Sequence, residues 1–213
     1  MPVFLVANPK GGVGKSTVAT NLAGYFARQG HRTMLGDLDR QHSSRAWLAL
    51  RPASLPEIET WDVDADRIAR PPRGVTHVVL DSPAALHGSL LKESLKVADR
   101  VIVPLQASLF DIYATTAFLA KLADRGELKS NGQVGILGMR VNQRTRASDQ
   151  LQRFVEGLNL PVLGFLRDTQ NYVQLAAHGL TVWDVAPSRV EKDLEQWNPL
   201  IAWADGDGSN DRR

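Results

Sequence analysis

Residues 8–17, Asn-Pro-Lys-Gly-Gly-Val-Gly-Lys-Ser-Thr, constrain this chain more than any other stretch. An apolar run from Val3 to Ala7 precedes them, and a helical pattern with Val18, Leu22 and Phe26 on one face follows. Strand, glycine-rich loop and helix, in that order, are the context of a phosphate-binding loop. The glycines let backbone N–H groups turn inward around phosphate oxygens, where a Cβ would obstruct them. The helix N-terminus adds its partial positive charge. Gly11, Gly12, Val13 and Gly14 form the cradle, Lys15 can reach the β- and γ-phosphates, and the Ser16 hydroxyl can ligate Mg²⁺. Thr17 belongs with them as a nucleotide contact. The competing account, a glycine-rich turn with a chance lysine, leaves the flanking strand and helix unexplained.

Further acids fall at the ends of other apolar runs. Residues 32–37 read as a second strand that ends in Asp37 and leads to Asp39. Two acids at i and i+2 on a strand end share a face and point to the carboxyl edge of the sheet, where ligands of open α/β sheets bind. Asp39 could orient a water against the γ-phosphate, directly or through Mg²⁺; the alternative is a pair of solvated acids in a turn. Thr76 to Asp81 is a buried strand whose terminal carboxylate would sit near Mg²⁺, unless Asp81 is an N-cap. Gly135 to Asn142 is another strand, and the Asn142 amide offers both a donor and an acceptor, matching adenine N6 and N7. A turn-forming asparagine is the alternative there.

The loop departs from the general G-x-x-x-x-G-K-S/T pattern, with Pro9 at the first glycine and a second lysine, Lys10, after it. Lys10 to Ser16 resembles the deviant Walker A motif of the ParA/MinD superfamily. The resemblance implies an ATP-dependent sandwich homodimer in which Lys10 reaches into the other subunit's nucleotide site. Residues 37–41 resemble the family's Asp-x-Asp-Pro-Gln switch segment, with Arg40 in place of proline. Asp81 matches a Walker B acid, and Ser82-Pro83-Ala84 stands where the family has its second switch. Ala98 to Leu105 resembles the Ala-Asp-x-Val-Ile-x-Pro segment. Asn142 matches an adenine-reading asparagine, and Arg167-Asp168-Thr169-Gln170 resembles a loop whose backbone borders adenine. The resemblance runs from Val3 to about Asp184.

With 213 residues the chain suffices for one α/β domain, expected over 1–204 with a polar tail at 205–213. It has 43% hydrophobic and 23% charged residues and no run of about 18 apolar residues, as expected of a soluble protein without a transmembrane helix. Cysteine is absent, which excludes disulfides, thiolate metal sites and a cysteine nucleophile. It also sets aside iron–sulfur relatives with the same loop. No signal peptide is evident, so a cytoplasmic protein is expected. Strands alternating with helices predict a single-domain, doubly wound, mostly parallel sheet covered on both faces.

Several local expectations complete the reading. Ala46, Trp47 and Leu50 mark a short helix, and Ile58 to Trp61 a short strand. Arg67, Arg70 and Arg73 read as a solvated edge. Leu86, Leu90, Leu91 and Leu95 form a core stripe. Asp111 is expected to cap a helix reaching about Arg125 with Ala117, Ala120 and Leu122 buried. Ser188 to Glu191 reads as a capping box that starts a helix, which Pro199 ends or kinks.

Net charge is only +2, so bulk charge gives no argument for nucleic acid. Arg140, Arg144, Arg146 and Arg153 nevertheless fall within fourteen residues, and Arg189 with Lys192 forms a second basic group. Either could be a plain solvated face, or one side of an ATP dimer that holds DNA without sequence preference. The resemblance thus implies a ParA-like ATPase with ATP and Mg²⁺ as cofactors, associated with the nucleoid. A ParB-like or cargo-adaptor protein would stimulate its hydrolysis. Two other readings are a MinD-like membrane ATPase, which needs an amphipathic C-terminal helix, and a ligase of the dethiobiotin-synthetase type, which needs a second substrate pocket.

Overall fold

The computed structural model describes residues 1–61, 68, 71–124, 133–142 and 144–206. Within them a seven-stranded sheet runs in the order β3-β2-β4-β1-β5-β6-β7, and every neighbouring pair is parallel. The strands are β1 (Val3–Val6), β2 (Thr33–Asp37), β3 (Ile58–Trp61), β4 (His77–Asp81), β5 (Arg100–Gln106), β6 (Val134–Val141) and β7 (Val162–Arg167). The helices are α1 (Lys15–Arg28), α2 (Ser43–Ala49), α3 (Gly88–Val97), α4 (Leu109–Asp124), α5 (Arg146–Glu156), α6 (Gln170–Ala176) and α7 (Pro187–Asp205).

Parallel strands need crossovers, and the helices supplying them cover both faces, so the central strands read as continuous apolar runs. Phe4, Val6, Val79, Ile102 and Leu137 point to one face and pack with α1 and α7 residues such as Leu22, Phe26 and Trp197. Leu5, Val78, Leu80, Val103 and Ile136 point to the other and meet Leu91, Leu95, Phe118 and Leu151. The order reverses between β1 and its neighbours β4 and β5, and a crevice at the carboxyl edge follows from that reversal.

Several expectations change. Asp37 ends β2 and is buried, whereas Asp39 lies beyond the strand in a turn, so the two acids do not share a strand face. In α2 Trp47 is buried but Ala46 and Leu50 are exposed. Asp111 lies inside the first turn of α4 and does not cap it. Thr115 and Phe118 bury in that helix, while Ala117 and Ala120 are exposed. The capping box at Ser188 does not form. α7 starts at Pro187 with no side-chain cap, breaks at Val190 (φ −134°, ψ 20°) and continues through Pro199 to Asp205. Leu86, Leu91 and Leu95 bury as the stripe required. Arg67, Arg70, Arg125 and most of the 205–213 tail fall outside the described residues.

Candidate nucleotide site

The loop between β1 and α1 is pinned from below before any ligand is considered. Asn8, fully buried, donates through Nδ2 to Pro104 O at 2.8 Å and Thr115 Oγ1 at 3.0 Å, and accepts from the Lys10 amide at 2.8 Å. Gln106 Nε2 donates to Gly12 O at 2.9 Å. Neither residue stood out in the sequence, although Asn8 lies directly before the loop. Gly14, at the head of α1, has φ +95°, and a Cβ there would meet Met139 Cε at 2.6 Å. This position therefore favours glycine for its conformation, the Met139 methyl being the movable end of a flexible side chain.

Lys15 is buried, and its ammonium donates to Lys10 O at 2.7 Å. Burial pulls its pKa below the ordinary lysine value, while Asp81 and Asp39 act against that fall. The three groups therefore share one electrostatic site. Asp81 ends β4 at 1% exposure, and neither of its carboxylate oxygens makes a hydrogen bond among the described residues. Burial raises its pKa to about 7; the Ser16 hydroxyl opposes the rise, the Asp37 carboxylate adds to it, and Ser44 and Lys15 again oppose it. Ser16 and Ser44 thus lie close enough to act on the carboxylate without reaching hydrogen-bond geometry.

An unpaired buried carboxylate beside a loop serine and a lysine fits a Mg²⁺–phosphate group. Ser16 and Asp81 would hold the cation, which would neutralise phosphate charge. Among the described residues no cluster of three His, Cys, Asp or Glu side chains forms a metal cage. That suits Mg²⁺, which is bound by one or two protein groups together with phosphates and waters.

Asp37 works on the protein itself. Its Oδ1 accepts from Asp39 N at 3.0 Å, and its Oδ2 accepts from Ser44 Oγ at 2.8 Å and Arg45 N at 3.0 Å. Asp39 Oδ1 then accepts from Gln41 N at 3.0 Å. Two successive side-chain-to-backbone turns stiffen residues 37–41 where Arg40 replaces the family's proline.

The base end of the site lies at β6 and β7. Gly14, Thr17, Arg140, Arg167 and Asp168 line a cavity of about 540 Å³ that α6 closes. Asn142, Arg144, Arg167, Asp168 and Lys192 line a neighbouring one of about 710 Å³. The two cavities share Arg167 and Asp168, one reaching the phosphate loop at Gly14 and Thr17 and the other Asn142. Asn142 Oδ1 accepts from Arg144 N at 3.3 Å, so the turn-forming role is present, and its side-chain NH₂ makes no hydrogen bond among the described residues. Arg167 is held by Asp193, which is fully buried and also accepts from Asn171 Nδ2 at 2.6 Å. Its own amide donates to Gln196 Oε1 at 2.8 Å.

Residues 4–182 match the family model of the CobQ/CobB/MinD/ParA nucleotide binding domain. The chain belongs to this family. As a CobQ/CobB/MinD/ParA domain it is 30% identical over 185 residues to the carboxysome distribution protein A of Gloeobacter kilaueensis, across 84% of this chain and 83% of the relative. It is 32% identical over 184 residues to the chromosome-partitioning ATPase Soj of Thermus thermophilus, across 69% of this chain and 72% of the relative. Its fold is shared with an ATP complex of a McdA variant from Cyanothece, at TM-score 0.74 and 16% identity over 100% of this chain and 98% of that one. It is shared also with cobyrinic acid a,c-diamide synthase from Mycobacterium smegmatis, at TM-score 0.63 and 22% identity over 92% of this chain and 98% of that one.

The basic residues singled out in the sequence are spread over β6, α5, α7 and the cavities beside them. Arg140 lines the phosphate-side cavity. Arg144 and Lys192, one from each group, line the base-side cavity together with the acids Asp168 and Glu195. Arg146 and Arg153 are exposed on α5. Arg189 lies across α6, at a cavity with Leu175, His178 and Val185.

Proposed function

We propose that this chain is a ParA-type positioning ATPase that binds ATP with Mg²⁺ and hydrolyses it to ADP and phosphate. The observation that carries the proposal is the buried Lys15 at the head of α1, with the Asp81 and Asp39 carboxylates close enough to act on its charge. A phosphate counter-charge, a cation ligand and a water-orienting acid are the parts that phosphoryl transfer needs. Relatives named for partition and for carboxysome distribution support positioning as the task. In this reading Lys10 completes the site of a second copy in an ATP-bound homodimer. The dimer holds DNA through phosphate contacts, associates with the nucleoid, and is released when a ParB-like or cargo-adaptor protein speeds hydrolysis. The cargo is DNA or a protein assembly.

The test is phosphate release from ATP by the purified chain with and without Mg²⁺, together with recovery of bound proteins from its own cells in ATP and in ADP. Mg²⁺-dependent turnover and a partner retained only with ATP are expected. One observation favours a second reading. The chain shares its fold with cobyrinic acid a,c-diamide synthase, so a metabolic ligase would use the same loop. Turnover that requires a small carboxylic acid metabolite and no partner protein would establish that reading instead.

A further inference from the structure

The helix that follows the Asp39 turn is fastened at both ends. At the front, Asp37 accepts from Ser44 and Arg45, the second and third residues of α2. At the rear, two residues past the helix, the Arg51 side chain is 5% exposed and all three guanidinium nitrogens donate. Nη1 and Nη2 bond the Asp184 carboxylate at 2.8 and 3.3 Å, Nη1 also reaches Gly179 O at 3.3 Å, and Nε reaches Pro56 O at 3.2 Å. The Asp184 side chain is 0% exposed and also accepts from Thr181 N at 2.9 Å and Thr181 Oγ1 at 2.7 Å. Burial alone would raise its pKa, yet Arg51 and Thr181 hold it below the ordinary aspartate value.

The segment holding Asp184 is itself locked to α1. Val182 N donates to Asn21 Oδ1 and Trp183 Nε1 to Asn21 O, both at 3.0 Å, and Arg28 Nε reaches Asp184 at 3.1 Å. Gly179, at φ +66°, lies so close to the backbone of Leu50 and Arg51 that any side chain would collide with it. A rigid path therefore runs from α1, whose first turn carries Lys15, Ser16 and Thr17, through residues 179–184 to Arg51. It continues along α2 to Asp37 and the Asp39 turn.

We infer that Arg51, through Asp184, is a positioning residue for hydrolysis: it sets α2 against α1 and so presents Asp39 to the γ-phosphate end of the loop. This rests on the ATPase reading above. A misplacement of a reacting group by about 1 Å costs on the order of a hundredfold in rate, and Arg51 controls the lever that carries Asp39 without touching the nucleotide. Arg28 bonds the same carboxylate but from α1 itself, so its loss leaves α2 anchored.

The experiment compares Arg51→Gln, Arg51→Lys and Arg28→Gln in the full chain, reading kcat and KM for ATP, ADP affinity by calorimetry, and thermal unfolding. Arg51→Gln should lower kcat by about tenfold or more with KM and ADP affinity within about twofold of the parent. Arg51→Lys, which keeps the charge but loses the fork, should fall between. Arg28→Gln should match the parent. If Arg51→Gln does not fold, Arg51→Lys is judged by the same split. Unchanged kcat in the folded variant overturns the inference. So does a fall in kcat matched by an equal fall in ADP affinity, or an equal loss in Arg28→Gln. A parent chain with no ATP turnover overturns the ATPase reading itself; parent turnover with an indifferent Arg51 overturns only the clamp.

Discussion

The Lys15 ammonium donates to the carbonyl oxygen of Lys10 at 2.7 Å, so one lysine of the loop is held by the backbone of the other. The contact keeps a buried charge satisfied inside the loop. A phosphate entering the cradle competes for the same ammonium. Lys15→Ala removes that counter-charge and should weaken ATP and ADP binding by about a hundredfold or more, measured by calorimetry. Asp39→Ala should bind ATP normally and turn it over about a hundredfold more slowly, because binding and water orientation use different groups. Parent-like turnover by Asp39→Ala would remove the water-orienting role.

Lys10 holds its place in the loop through its backbone, whose amide donates to Asn8 Oδ1 at 2.8 Å. Its own ammonium has no ion-pair partner among the described residues. Lys10→Ala should therefore leave ADP affinity near that of the parent and block ATP-driven dimerisation. Light scattering in the Asp39→Ala background reads this directly. A dimer that forms normally without the Lys10 side chain would sink the cross-subunit role.

Charge reversal separates the basic groups. Arg146 and Arg153 are exposed on α5, whereas Arg144 and Lys192 share a cavity with Asp168 and Glu195. ATP-dependent, sequence-independent DNA binding at about micromolar affinity or weaker is expected, steeply reduced by salt. Arg146→Glu with Arg153→Glu should weaken retention on DNA without altering ATP turnover. Arg189→Glu with Lys192→Glu tests the other group in the same assay. DNA retention equal in ATP, ADP and no nucleotide would show that any binding is unrelated to the switch.

At the opposite edge of the sheet His77 stacks on His31 with ring centroids 3.9 Å apart and on Phe26 at 4.4 Å. Burial, reinforced by His31, pulls its pKa from 6.5 down to about 4, with Asp205 acting the other way. Above pH 6.5 the ring is neutral in folded and unfolded chains alike. Between about 6.5 and 4 the unfolded chain takes a proton that the folded one refuses, so stability falls as pH drops through that window. His77→Phe should flatten this part of the profile, read as the urea midpoint at pH 7 and pH 5. Parallel profiles for parent and variant would rule His77 out as the cause.

The residues legible in the sequence are those whose role is local. Strands buried on both faces show as apolar runs, and the loop carries its own spacing, so the parallel sheet and the positions of Lys15, Asp81 and Asn142 could be read directly. Ala117 and Ala120 were misplaced because α4 is apolar nearly all round, which leaves periodicity no unique inner face. Asp37 and Asp39 could be two residues of a strand face or the two ends of a turn; the choice is made by Ser44 and Arg45, which take the Asp37 carboxylate into α2. Arg51 and Asp184 are 133 residues apart, and no local pattern records their meeting. The start of α7 was misread for a related reason: Pro187 opens the helix one position before Ser188, and the break at Val190 shows only in the folded backbone.

The exposed start of α4 governs how the molecule behaves in bulk. Leu109, Phe110 and Tyr113 stand 60%, 74% and 65% open to solvent within one turn and a half of helix. Side chains of this size together show on the order of 300–400 Å² of apolar surface, within the range of the largest patch on a typical monomer. With a net charge of only +2, little long-range repulsion keeps copies apart. Concentrated stocks should thus be limited by colloidal attraction between folded molecules. Ammonium sulfate strengthens that attraction while sodium chloride weakens contacts made through charge. Ammonium sulfate should therefore raise the scattering while sodium chloride leaves this apolar attraction in place, and a scattering assay needs both salts to tell stickiness from assembly.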